Sequence, residues 1–93
     1  MPADECLSYG IANKLFAEDE LDQKTLEWAR QLADGAPLAM AAAKKLLRGA
    51  GQISFSEAIT AEGFAQTPLA KSNDFKIGVQ AFFDKEKPVF SGN

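Results

Sequence analysis

Histidine is absent from the 93 residues, and cysteine, tryptophan and tyrosine each occur once. Without histidine, no Ser-His-Asp triad or Cys-His dyad can be assembled. The single Cys6 leaves neither an internal disulfide nor a Cys/His cluster of zinc-binding spacing, so no metal site is expected. Asp4 and Glu5 beside Cys6 disfavour its thiolate, and it reads as a small buried apolar residue. Basic residues are also scarce relative to acidic ones: 10 Lys and Arg against 13 Asp and Glu, a net charge of −3. A nucleic-acid binder needs a basic face, and this balance argues against one. No apolar run approaches the ~20 residues that span a bilayer. Met1-Pro2-Ala3-Asp4-Glu5 has neither the basic flank nor the apolar stretch of a signal peptide. The expectation is a cytoplasmic protein that engages neither nucleic acid nor membrane.

What is present is ordinary for a globular chain: 46% hydrophobic and 25% charged residues. At this length the chain is one domain or part of one, and it buries only ~60–68% of the surface it exposes when unfolded. The punctuation predicts helices throughout. Pro2 to Tyr9 reads as a short helix opened by proline and stopped by Gly10. Glu18, Asp19 and Glu20 load the first turn of a second helix with negative charge. Leu21, Thr25, Trp28 and Leu32 come at spacings of four, three and four, an amphipathic stripe. Asp34-Gly35-Ala36-Pro37 ends that helix, with Gly35 suited to a left-handed cap, and Pro37 opens a third running to about Arg48. Its Ala39, Ala41, Ala42 and Ala43 allow close backbone approach.

Ser54-Phe55-Ser56-Glu57 has capping-box spacing and opens a fourth helix, which Pro68 should end or kink. A fifth covers about Asn73 to Lys85, with Phe75, Val79 and Phe82 on one face, and Pro88 stops the chain's last helical stretch. Ile11–Phe16 is the one extended candidate, a strand with no partner in the sequence or else a loop. The fold class is therefore all-α, about five helices in short hairpins, with one possible unpaired extended segment near the N-terminus.

Candidates for chemistry are few. Glu18-Asp19-Glu20 is better explained as a dipole partner than as an acid/base or metal cluster, and Lys44, Lys45 and Arg48 as the favoured basic end of a helix. Gly49-Ala50-Gly51 lacks the lysine and strand of a phosphate loop. The run Ala81 to Phe90 interleaves aromatics with lysines. It reads either as core phenylalanines beside solvated lysines or as a clamp for a purine ring and its phosphates, and residue physics favours the former.

Three blocks resemble a known family. Pro2-Ala3-Asp4-Glu5 through Gly10-Ile11-Ala12-Asn13 is similar to the "A-x-E-A" helix and "G-L-V-N" of the enoyl-CoA hydratase/isomerase (crotonase) family. Gly35-Ala36-Pro37-Leu38-Ala39 through Lys44 and Leu47 resembles its "G-P-P-L-A-x-x-x-x-K-x-x-L" helix. Asp74, Gly78, Ala81, Phe82, Lys85, Pro88 and Phe90 resemble its closing "D-x-x-E-G-x-x-A-F-x-x-K-R-x-P-x-F". Ile77 and Glu86 depart from that pattern, where glutamate and arginine are usual. The resemblance implies that residues 1–93 form the C-terminal helical domain of a crotonase-like protein, packing subunits into trimers and capping a pocket for acyl-CoA thioesters of fatty-acid or related metabolism. It implies lyase or isomerase chemistry for the family. The catalytic elements it assigns to the N-terminal core are not in this chain, so no catalytic residue is expected here. It further implies that Phe82 and Lys85 reach coenzyme A, which enters as part of the substrate rather than as a resident cofactor. An isolated helical interaction module without catalysis is the alternative.

Overall fold

The computed structural model describes all of residues 1–93 as five α-helices with no strand, in two compact units, Met1–Leu32 and Ala33–Asn93. The first unit opens with α1, Ala3–Ser8. Gly10 closes it at φ 72°, with its N–H on the Leu7 carbonyl at 3.1 Å and the Ile11 N–H on Cys6 at 2.8 Å, a Schellman arrangement that only a left-handed residue permits. Ile11–Phe16 is irregular backbone, so the extended candidate is a loop and not a strand. It is fastened by a side chain instead: the Lys14 ammonium lies 4.4 Å from the centre of the Trp28 ring, on α2 (Leu21–Ala33). Glu18, Asp19 and Glu20 form the turn before α2 rather than its first turn, and the Glu20 carbonyl accepts from the Lys24 N–H at 2.9 Å. On the outer face of α2, Gln23 donates to Glu27 at 2.9 Å and Lys24 approaches it at 3.7 Å. The Gln23 bond, and after it the Lys24 charge, hold the Glu27 carboxyl below the usual glutamate range.

The second unit holds α3 (Pro37–Ala50), α4 (Phe55–Leu69) and α5 (Asn73–Asp84). Pro37 occupies the first turn of α3, where its missing N–H costs nothing. α3 and α4 pack against each other as a hairpin. The capping box of α4 is complete: Ser54 Oγ accepts from the Glu57 N–H at 3.3 Å, and Glu57 Oε2 accepts from the Ser54 N–H at 2.7 Å. α4 ends at Leu69, one residue beyond Pro68, where the proline places its end. Pro68 lies in the last turn, and the Ala70 N–H still reaches the Gln66 carbonyl at 2.9 Å. Ser72 caps α5 by accepting from the Phe75 N–H at 3.1 Å. Left-handed backbone falls at Gly10, Lys85 and Gly92, and not at Gly35.

The Ser54 hydroxyl, and after it the Ser54 N–H, hold the Glu57 carboxyl below the ordinary glutamate range. A carboxyl whose folded value is depressed stabilises the fold above its unfolded value and loses that contribution as pH falls through the folded one. Ser54→Ala should therefore lower the melting temperature at neutral pH by roughly 4–8 °C. The deficit should shrink as pH falls through the depressed folded value, where Glu57 becomes protonated in both proteins. Thermal melts at pH 7 and pH 3.5, monitored by circular dichroism, check this.

Packing sets this chain apart from a self-sufficient domain. No hydrophobic residue is buried, and the single buried side chain is a carboxylate, Asp74, at 2% exposure. Phe55, Phe64 and Leu47 stand at 81%, 76% and 76%. Globular domains reverse this order, placing Phe and Leu inside and leaving charge outside.

Candidate functional site

The C-terminal corner gathers the groups with binding chemistry. On α5, Phe75, Val79, Phe82 and Phe83 present a shallow apolar surface. Phe82 and Phe83 meet edge to face, with ring centres 5.8 Å apart at 76°, the arrangement the ring quadrupoles favour. Phe82 is 79% exposed, so the face read as helix core looks outward in this chain.

Lys85 ends α5 and is the one non-glycine residue with positive φ, at 56°. The Glu86 N–H returns to the Ala81 carbonyl at 3.0 Å and the Lys85 N–H to Phe82 at 3.4 Å, which closes the helix. Phe82 and Lys85 are thus joined by a backbone bond of the helix cap, with Lys85 itself outside the helix. Its ammonium is exposed and makes no ion pair, whereas that of Lys87 pairs with Asp34 at 2.6 Å.

A groove of about 260 Å³ runs between α3, α4 and the start of α5. Ala39, Ala42, Ala43 and Ala65 leave its floor open, Leu46 and Leu69 wall it, and Glu62 and Gln66 are its polar rim. This is the close-approach surface that the small residues of α3 predict. Lys44, Lys45 and Arg48 are exposed on the last turns of α3 and form no ion pair.

Beyond the groups read from sequence, the structure adds Asp74, whose Oδ1 accepts from the Ser91 N–H at 2.7 Å and whose Oδ2 accepts from the Gly92 N–H at 3.0 Å. Its partners lie 17 and 18 residues away, so nothing local in the sequence marks it. The serine and glycine near the chain end, two groups that can present N–H donors to a carboxylate, are the available hint.

Together these features define an all-α module with uncovered apolar faces and a corner of exposed rings and ammonium. The chain belongs to the enoyl-CoA hydratase/isomerase family, whose profile matches residues 1–93. It is 35% identical to the carnitinyl-CoA dehydratase of Salmonella typhi over 96 residues, covering 99% of this chain and 37% of that protein. Among solved structures, an enoyl-CoA hydratase from Geobacillus kaustophilus HTA426 superposes with a TM-score of 0.90 at 32% identity, over 100% of this chain and 35% of its own. The enoyl-CoA hydratase of Bacillus anthracis gives 0.90 at 26% identity, over 98% of this chain and 35% of its own. The chain thus spans about a third of the length of the proteins it matches.

Proposed function

We propose that these 93 residues serve as the helical portion of an acyl-CoA hydratase or isomerase, packing subunits together and closing the coenzyme A pocket without carrying out the chemistry. The observation that best supports this reading is the inverted packing. A chain matching its relatives over 99% of its own length, but 37% of theirs, buries no hydrophobic side chain of its own. Apolar faces left open at this scale are ordinarily interfaces. Self-association, trimeric in the resemblance, and contact with a crotonase core supply surfaces that would cover them. Phe82 and Lys85 contribute remote binding energy: an apolar ring surface for the adenine or pantetheine, and an unpaired ammonium for a phosphate.

A chimaera tests the assignment. These residues replace the matching stretch of the Salmonella typhi carnitinyl-CoA dehydratase, and turnover of its acyl-CoA substrate is measured. Turnover should persist, and Lys85→Ala in the chimaera should raise KM by roughly 5–30-fold, the equivalent of about 1–2 kcal/mol for a lost charge-assisted bond, while sparing kcat. The increase should be larger at low ionic strength. An unchanged KM, or a loss confined to kcat, would return Lys85 to a solvated lysine.

A further inference from the structure

The deepest burial in the chain belongs to a charged group, and its partners belong to the tail. Beyond α5 the chain reverses and runs back along the helix. The Phe90 ring passes over Gly78, where an added Cβ would sit 3.5 Å from Cε1, in ordinary van der Waals contact. Ser91 and Gly92 then reach Asp74, in the first turn of the same helix. Oδ1 accepts from the Ser91 N–H at 2.7 Å, from Ser91 Oγ at 3.2 Å and from the Gly92 N–H at 3.2 Å, and Oδ2 accepts from that same N–H at 3.0 Å. The Asp74 N–H answers by donating to the Asn93 carbonyl at 3.0 Å. Gly92 holds φ 81°, and a Cβ there would meet Pro37 Cγ at 3.3 Å, so the turn that presents the two N–H groups admits glycine alone without strain. At the other end of the tail, Lys87 is tied to Asp34.

We propose that Asp74 is the latch of a C-terminal strap, residues 86–93, and that this strap positions the Lys85 corner. Asp74 lies 11 residues before Lys85, roughly 16 Å along a helix axis, and so acts on it only through the tail. Lys85 sits in a left-handed backbone conformation that is strained for any residue with a Cβ. Such a conformation needs support from its neighbours in the chain, and on the C-terminal side of Lys85 those neighbours are the strap. A carboxylate is the fitting latch because it accepts from several donors at once, and charge-assisted bonds of this kind are shorter and stronger than neutral ones. Asparagine would set an N–H against an N–H at one of its two positions. The consequence for coenzyme A rests on the function proposed above, whereas the latch itself does not.

The strap is tested in the 93-residue chain by hydrogen exchange at the Ser91 and Gly92 amides. Asp74→Asn and, from the opposite side, Gly92→Ala should each speed that exchange at least tenfold with the helical circular dichroism retained. Protection unchanged in both variants would overturn the latch. Positioning is tested in the chimaera with Asp74→Asn, Lys85→Ala and the double variant. Asp74→Asn should raise KM for acyl-CoA several-fold with kcat unchanged, and the double variant should be no worse than Lys85→Ala alone. Additive effects would overturn positioning through Lys85. If Lys85→Ala leaves KM untouched, the coenzyme A reading fails, and positioning fails with it. The exchange measurement still decides the latch.

Discussion

The isolated 93-residue chain should hydrate crotonyl-CoA at no more than background rate, where hydratases of ordinary power exceed it by roughly a million-fold or more. Hydration of an enoyl thioester needs donors fixed on the developing enolate oxygen and a carboxyl poised to transfer a proton. A removed donor alone costs such sites ~10²–10³ in rate. Here three of the 13 acidic side chains are committed elsewhere. Asp74 is the buried one, and its oxygens are taken by Ser91 and Gly92. Glu27 and Glu57 are held below their ordinary range by neighbouring donors, the wrong direction for a group that must carry a proton near neutral pH. The N–H groups free at helix starts meet the same fate where Ser54 and Ser72 cap α4 and α5. The assay is the loss of absorbance of the conjugated enoyl thioester at high protein concentration. A rate well above background, abolished by substituting one residue of this chain, would overturn the non-catalytic assignment.

The same local rules explain how much of the fold could be read before the structure. Helix starts carry their signal within four residues. Pro37 and the Ser54–Glu57 pair both open helices where their chemistry requires, and Gly10 stops α1 by taking the φ that its lack of a Cβ allows. Failures arise where the deciding partner is distant. Ile11–Phe16 read as an unpartnered strand or else a loop, and nothing in six residues reports that Lys14 will rest on a ring 14 positions later. Pro68, by contrast, announced its own effect: α4 stops one residue after it, and the missing N–H leaves the Phe64 carbonyl without its helical partner.

Helical periodicity carried the fifth helix to about Lys85, and the chain leaves the helix at that residue, in a left-handed cap closed by the Glu86 return bond to Ala81. A lysine gives no advance sign of that conformation as a glycine would. Asp74 stood in the recognisable closing motif without any visible task, because its task is to hold residues 17 and 18 positions on. The apolar spacing of Phe75, Val79 and Phe82 was legible as a face. Which way that face looks was not, since amphipathicity records that a surface wants cover and not what covers it.

Left uncovered, that want should make the chain associate with itself, and its strength can be bounded. On the α3–α4 hairpin, Leu47, Ile53, Phe55 and Ile59 line one open apolar depression, and Phe64 stands on the neighbouring one. Burying a large apolar side chain fully is worth about 1.5–3 kcal/mol, and these five are already partly covered, so a gain on the order of 5–10 kcal/mol is available. Bringing two proteins together costs about 4–15 kcal/mol in lost freedom. The two nearly cancel, which predicts weak association with a size that changes with concentration rather than a tight, fixed oligomer. Sedimentation across roughly 5–500 μM should show the average mass rising, with binding of an apolar-surface dye at the dilute end. Leu47→Lys combined with Phe64→Lys removes two of the five contributions, about 3–6 kcal/mol at most. It should weaken association at least tenfold and cut the dye signal, while the helical circular dichroism stays as it was. A chain that remains monomeric over that range and binds no dye has covered these faces by itself, and the interface assignment would then fail.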